Sequence, residues 1–398
     1  MTDTDVVVAG AGPVGLATAL GLARAGIRSV VLDAGGGLNT SPRAMAYLYP
    51  VLPGLEALGV LPDLKAIGLE GPGINFIDMA SGEHFPQNLD VLQGVVPHPY
   101  ALQLGQGDVG AVLLRHLAAH AGTEVRWDSR VTGVVNGEAG VEVAYRTPAG
   151  AGVVRAPWLV AADGASSAVR ELLGIPFDGF TWPDRFVSTN IRYDFTAAGL
   201  PSANWRIDSD YGAVIARIDR TDLWRYTFRE PGSLPLEGLE ERIHEHFKHG
   251  LYGGGYELVQ FAPYRMHQRC TDSFRRGRVV LAGDAAHITN PVGGLGLTGG
   301  FLDAFVLYEA LAAVIHDEAD DSVLDTYAER RRQVWTDIVS PTASGLKQLL
   351  FDPPPPGEAR ERALAGLRAT ARDHDLRREE LIRQGAIATP SVLPRRRP

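Results

Sequence analysis

A single cysteine, Cys270, stands in 398 residues. That excludes an internal disulfide and any multi-cysteine metal site, so no metal is expected, and it suits a reducing compartment. The ordinary fate of one such thiol is to serve as a small buried hydrophobe. Lysine is nearly missing, with Lys65, Lys248 and Lys347 the only three, and the formal charge is −9. A chain that grips nucleic acid needs a basic face against the phosphates, and this balance argues against such a partner. No uninterrupted apolar run reaches bilayer-spanning length, which argues against a membrane role. The start, with Asp3 and Asp5 ahead of a strand, lacks the positive flank and apolar stretch of a secretory signal. A soluble cytoplasmic protein, monomer or homodimer, is expected. With 45% hydrophobic residues, the chain has material for one large core and a smaller second one.

What is present is punctuated by glycine. Asp5 to Gly10 reads as a strand, because Val6, Val7, Val8 and Ala9 form the continuous apolar run of a parallel sheet covered on both faces. Pro13 to Ala25 reads as a helix with Pro13 in its first turn and Gly26 as its cap. Ser29 to Leu32 is a second strand ending at Asp33, which completes a βαβ opening. Between Phe186 and Glu230 the pattern changes to period two. Val187, Thr189, Ile191, Tyr193 and Phe195 share one strand face, and Trp224, Tyr226 and Phe228 share another. Asp219 to Asp222 is the turn between antiparallel strands. Arg278 to Leu281 returns to a buried strand, and Leu302 to His316 reads as an amphipathic helix. Pro353 to Pro356 mark a stiff connector, and Ala359 to Gln384 reads as one solvated helix before a loose tail. The arginine run Arg395 to Arg397 is read as solubilising.

Three turns carry chemistry. In Gly10-Ala11-Gly12-Pro13-Val14-Gly15, Gly10 permits the tight turn, Gly12 lets a pyrophosphate approach, and Gly15 lets the helix pack on the sheet. The helix N-terminus offers N–H groups to phosphate, and Asp33, eighteen residues beyond Gly15, suits a ribose diol. This fingerprint alone leaves FAD and NAD both open. The second turn is Gly283-Asp284 within Val280 to His287, followed by Pro291-Val292-Gly293-Gly294-Leu295-Gly296, where Asp284 suits a polyol hydroxyl. His287 is read as a residue that locks this loop, since the glycines and not the imidazole define the motif. The third is Asp163-Gly164 at a strand end, with Ser166 or Ser167 as cap of a helix ending near Gly174.

In their chain order, the glycine fingerprint, then Asp163-Gly164, then Gly283-Asp284, and at these distances, the three motifs resemble those of the class A flavoprotein aromatic hydroxylases, the para-hydroxybenzoate hydroxylase family, over roughly residues 5 to 345. The resemblance implies an α/β fold: a Rossmann-like FAD-binding domain with an inserted antiparallel-sheet substrate domain and C-terminal helices. It implies FAD-binding segments 1–174 and 268–350, a substrate-binding sheet at 175–267, and a C-terminal helix and tail at 351–398. A thioredoxin-like extension has no room. Asp163, Gly164 and Arg170 inherit contacts to FAD and the nicotinamide cofactor, and Gly283 and Asp284 those to the ribityl chain. Pro291, Gly293, Gly294, Gly296 and Leu297 fall to flavin positioning. Pro42-Arg43-Ala44 resembles the arginine-bearing loop near the flavin, and Gln106 a FAD-contacting glutamine. The chain departs from its relatives in having Asp33 for a common glutamate, Gly110 for another, and Thr298 for a common asparagine.

The reaction so implied has NADH or NADPH reduce FAD and dioxygen add at the flavin C4a position, the hydroperoxide then hydroxylating an aromatic small molecule, phenolic or polyketide-like. Tyr193, Arg217, Arg225 and Tyr226 of the inserted sheet are the candidates for the substrate pocket, and the catalytic base is unassigned. A halogenase or reductase on the same scaffold, or a non-catalytic flavin-binding sensor, is the alternative. Trp205-Arg206-Ile207 does not reproduce the tryptophan-rich motif of halogenases.

Overall fold

The structure, a computed structural model, describes residues 3–42 and 44–394; Arg43 and the run Arg395 to Arg397 lie outside the described residues. Strand β1 (Val6–Ala9), helix α1 (Pro13–Arg24) and strand β2 (Ser29–Leu32) open the chain where the valine run and the glycines place them. Strands β3 (Gly73–Asp78) and β4 (Glu83–Asn88) form a hairpin, α2 (Gln106–Leu117) packs on α1, and β5 (Trp158–Ala161) leads into the short α3 (Ala168–Leu172). Then come β6 (Phe177–Arg192), β7 (Ala203–Ile207), β8 (Ala213–Arg217), β9 (Leu223–Pro231), α4 (Leu239–Gly250), β10 (Glu257–Thr271) and β11 (Val279–Leu281). The helices α5 (Leu295–Ile315), α6 (Val323–Val334), α7 (Ser340–Phe351), α8 (Glu358–Arg372) and α9 (His374–Gln384) follow.

Two sheets organise the molecule. In the first, β11, β5, β1 and β2 are parallel neighbours in that order, all fully buried, with 123–126 beyond β2 and an antiparallel 275–276 beyond β11. Apolar residues on both sides of each strand are what this burial requires. The second sheet has eight strands, ordered 287–288, β10, β6, β9, β8, β7, β3, β4, and its pairings are antiparallel except for β7 on β3. One of its faces is closed by α4 over Val187, Ile191, Trp224 and Phe228. The other carries Val214, Ala216, Met266 and Trp205 and meets Met45, Val292 and Leu350.

Four details differ from the reading of the sequence. The large sheet takes β3 and β4 from the stretch assigned to the first FAD segment, through a parallel pairing that no local pattern announces. Tyr193 and Phe195 lie past the end of β6 rather than on it. Helix α5 begins at Leu295, seven residues before the expected Leu302, and is buried nearly all round instead of amphipathic. It is long and apolar enough to cross a bilayer, yet 72% of its most apolar window is packed inside the protein, against α1 among other elements. The C-terminal stretch is two helices, because the Asp373 side chain caps a new start by accepting from the Asp375 and Leu376 N–H groups.

Candidate functional site

The three chemical turns sit at the C-terminal ends of three adjacent strands, β1, β5 and β11, and they touch. Gly10 has φ +98°, and a Cβ there would stand 2.3 Å from the Ala162 carbonyl oxygen and 2.8 Å from Asp163 Cα. A Cβ at Gly15 would meet the Gly10 oxygen at 1.9 Å. Gly12 is different. Its backbone is extended and nothing lies within 4 Å of where a Cβ would be. The first turn of α1 begins there without a side-chain cap, so its N–H groups face that open space. The residues present therefore fit a dinucleotide, whose pyrophosphate needs open room over a glycine at a helix N-terminus.

The flanking side chains hold the turns in place. Asp33 accepts hydrogen bonds from Ala11 N at 2.6 Å and Gly35 N at 2.7 Å, one on each carboxylate oxygen, which leaves lone pairs for a diol. Asp163 accepts from Ser167 Oγ at 2.5 Å and Val169 N at 3.1 Å. Burial pushes its carboxyl above the usual range while these hydrogen bonds pull it back. Ser167 is also the cap of α3, accepting from Arg170 N. The buried Arg170 guanidinium donates to Ala165 O at 2.7 Å and Ala285 O at 3.1 Å, so it bridges the Asp163-Gly164 and Gly283-Asp284 turns. It lies 3.8 Å from the centre of the Phe177 ring, and burial lowers its pKa. Asp284 is exposed although Val279 to Gly283 and Ala285 to Ile288 are all buried. Gln106 starts α2 and its N–H donates to Ala44 O at 3.1 Å.

Pro291 to Gly293 form a single turn of 3-10 helix, Gly294 takes a left-handed φ of +66°, and α5 follows at once with Gly296 and Leu297 in its first turn. Side chains of the large sheet clamp this turn. Trp205 Nε1 donates to Val292 O at 2.6 Å, and Gln268 Oε1 accepts from Thr289 Oγ1 at 3.0 Å and Asn290 N at 3.2 Å. Thr298 turns its hydroxyl into the helix, onto Gly294 O at 2.7 Å. His287 is buried against Asp303, with Nε2 2.7 Å from Oδ2, and locks the loop as expected.

The four pocket candidates part company. Successive side chains of a strand point to opposite faces, and Arg225 and Tyr226 are consecutive. Arg225 lies on the face that meets the Pro291 to Gly294 turn, whereas Tyr226 is packed under α4 beside Phe247 and pairs with Arg206 and His246. Tyr193 also belongs to the α4 side, where its hydroxyl donates to Gly253 O at 2.8 Å. Arg217 folds back on its own hairpin and donates to Thr221 O at 2.7 Å and Arg220 O at 3.1 Å. These three therefore do not share the face on which Arg225 lies.

Beside Arg225, residues not singled out in the sequence gather on the inner face. Arg225 Nε donates to Asn190 Oδ1 at 2.8 Å, and Ser188 and Thr227 hydroxyls pair at 3.1 Å, which gives two polar rungs of the β6–β9 ladder. Around them stand Met45, Trp205, Val214, Ala216, Met266 and Val292. Burial pushes the Arg225 pKa down to about 10, with Tyr264 and Tyr47 pulling it back, so it remains a cation at neutral pH. The Tyr47 hydroxyl is fully buried without a hydrogen-bond partner among the described residues, and burial drives its pKa up. The available signal was the polar run Ser188, Thr189 and Asn190 between Val187 and Ile191, of which strand alternation sends Ser188 and Asn190 to one face. Among the described residues no group of three or more His, Cys, Asp or Glu side chains is gathered to hold a metal.

Comparison with known proteins agrees with this geometry. The family described as "FAD binding domain" matches residues 3–342. The chain is 45% identical over 378 residues to the 6-hydroxy-3-succinoylpyridine 3-monooxygenase HspB of Pseudomonas putida (strain DSM 28022 / S16), covering 94% of this chain and 96% of that one. It is 45% identical over 344 residues to the para-nitrophenol 4-monooxygenase of Pseudomonas sp. (strain WBC-3), covering 85% of each. Among solved structures, p-nitrophenol 4-monooxygenase PnpA from Pseudomonas putida DLL-E4 superposes with a TM-score of 0.93 at 40% identity, over 97% of this chain and 98% of that one. An aklavinone-11 hydroxylase in complex with FAD and aklavinone gives 0.79 at 28% identity, over 88% and 70%. The touching turns, the open ground over Gly12 and these relatives lead to one conclusion: the chain belongs to the FAD binding domain family and is a class A flavoprotein aromatic monooxygenase.

Proposed function

We propose that this enzyme hydroxylates a single aromatic ring bearing a hydroxyl group, at the carbon para to that hydroxyl, even where this carbon already carries a substituent. The observation that supports it is the pair of rungs, Arg225 with Asn190 and Ser188 with Thr227, set in an otherwise apolar face. An aromatic ring fits the apolar ground, and its ring oxygen, as the anion, fits the guanidinium. Arg225 thereby favours the electron-rich phenolate, while Tyr47 supplies a buried hydroxyl that can donate a hydrogen bond to it. Relatives point the same way. One 45% identical relative is named for a 6-hydroxypyridine oxygenated at position 3, where the succinoyl group sits, and the other for a phenol oxygenated at position 4, where the nitro group sits. Relatives named for the polyketide aklavinone share only 31%, which favours the phenolic over the polyketide-like substrate.

On this reading Gly10, Gly12, Pro13, Gly15 and Asp33 hold the adenosine diphosphate half of FAD. Asp163, Gly164 and Arg170 order the middle of the site, Gly283 and Asp284 take the ribityl chain, and Gln106 closes the side. Pro291, Gly293, Gly294, Gly296 and Leu297 aim backbone N–H groups and the start of α5 at the isoalloxazine, where negative charge gathers on reduction. Bound FAD, reduced by NADH or NADPH, supplies the activated oxygen. Both reductants are cytoplasmic, which fits a chain whose one cysteine is buried. The buried inner face excludes bulk water from the reacting ring.

The test is a panel of phenols with FAD-loaded protein. With 4-nitrophenol, one NAD(P)H, one proton and one dioxygen should yield benzoquinone, nitrous acid and water, read as nitrite released per NAD(P)H oxidised. If 4-substituted phenols leave NAD(P)H oxidation at its basal rate while polycyclic phenols accelerate it, the single-ring proposal is wrong.

A further inference from the structure

We propose that Asp303 is a positioning residue for the turn Gly283-Asp284, and that Arg331 makes this restraint depend on the docked C-terminal segment Gly385 to Val392. The inference rests on the reading that this turn holds FAD.

Asp303 is one of two charged residues in the apolar helix α5, and it is fully buried. Its Oδ2 accepts from Gly283 N at 2.9 Å and lies 2.7 Å from His287 Nε2, and its Oδ1 accepts from Arg331 Nε at 2.6 Å. Burial works against the carboxylate, but His287 and Arg331 outweigh it, so Asp303 keeps its charge. The Gly283 amide immediately precedes Asp284. Gly283 itself is left-handed at φ +59°, and a Cβ there would stand 3.0 Å from Val14 of α1. One carboxylate thus fixes the backbone that presents Asp284 and seats it against the helix that begins at Gly12.

Arg331 of α6 carries the restraint outward. Besides Asp303 it donates to Gly299 O at 3.2 Å, Ile387 O at 2.8 Å and Thr389 Oγ1 at 2.9 Å. Ile387 and Val392 are buried in the same core as β1, so the segment is anchored rather than draped. This segment lies beyond residues 3–342, the part matched by the family. Loss of its contacts to Arg331 frees the guanidinium, then the carboxylate, then the Gly283 amide. Outer partners of a ligand site act in this way by orienting the groups that touch the ligand.

The experiment titrates FAD into apoprotein by flavin fluorescence for wild type, D284A, R331K, T389V and R360K. R360K breaks a comparable buried pair, Asp78 with Arg360, at a remote edge of the large sheet, and controls for general loss of stability. R331K is expected to raise the FAD Kd about tenfold or more and T389V about two- to threefold. R360K should melt lower, as R331K does, yet hold FAD within about twofold of wild type. Wild-type Kd values in both R331K and T389V overturn the proposal, and so does an R360K defect equal to that of R331K. Should R331K not fold, T389V decides alone. A D284A variant that binds FAD normally would instead overturn the assignment of the turn itself.

Discussion

Substituting Gly12 separates folding from cofactor binding. Three glycines of the first turn look alike in sequence, but their surroundings differ. At Gly10 and Gly15 a methyl group runs into backbone at 2.3 Å and 1.9 Å. Overpacking of that kind costs about 1–3 kcal/mol, and at Gly10 the left-handed φ adds roughly 1–3 kcal/mol more. Gly12 has neither problem, since its φ of −71° and ψ of 173° suit any residue and the space above is open. In apoprotein, G12A should therefore be neutral or stabilising by about 0.4–1 kcal/mol through the unfolded chain. With FAD present the same methyl occupies ground the pyrophosphate needs, at a cost of ~1–3 kcal/mol, or about 5- to 150-fold in Kd. The assay pairs thermal melting of apoprotein with an FAD titration for G12A and G10A. An apo G12A that melts below wild type, or that binds FAD with undiminished affinity, refutes the reasoning.

R225Q removes a charge-assisted hydrogen bond worth about 1.5–3 kcal/mol from the proposed ring-oxygen site, so KM for the phenol should rise roughly 10- to 150-fold while the FAD Kd stays put; equal loss of both refutes the assignment. W205F leaves the buried Val292 carbonyl without its indole donor, a loss of about 1–3 kcal/mol. Amide hydrogen exchange at residues 292–296 should quicken, and unchanged exchange would show that the sheet does not hold this turn. For pH, His246 is the informative group, since burial first, then Arg206 and His249, lower its pKa to about 4 from an ordinary 6.5. The unfolded chain takes up its proton below pH 6.5 and the folded one only near 4, so its contribution is full above pH 6.5 and falls away across that window, by roughly 3 kcal/mol in all. H246F, which keeps the stack on Phe228, should show a shallower acid loss in urea unfolding at pH 7 and 4.5; an unaltered slope contradicts the buried neutral imidazole.

Local features of the fold were legible in the sequence and long-range ones were not. The βαβ opening could be read because four consecutive apolar residues and three spaced glycines each have one local meaning. Helix α5 was placed too late because its first two turns hold Gly296, Gly299 and Gly300, and glycine is a poor helix former. The last two are glycine for packing reasons, since a Cβ on Gly300 would meet Val14 at 2.7 Å and one on Gly299 would meet His287 at 3.3 Å. In the inserted sheet, the strand periodicity was seen, but the candidates drawn from it, Tyr193, Arg217, Arg225 and Tyr226, did not share one face. Large aromatics cover the side closed by α4, and the smaller polar set, Ser188, Asn190 and Thr227, lies on the opposite face, the one that meets Val292. Asp303 drew no notice because an acid inside an apolar helix acquires meaning only once Arg331 and Gly283 arrive from distant sequence.

The pairing of β7 on β3 bears on synthesis. More than a hundred residues separate Asn88, the end of β4, from Ala203, the start of β7. At about 5–20 residues per second of translation, the β3–β4 hairpin waits on the order of ten seconds with the edge of Phe76 and Ile77 open, longer than a small domain takes to fold. An edge left bare invites other strands. Yield in a foreign host should accordingly depend on chaperone supply during elongation more than on the stability of the finished enzyme.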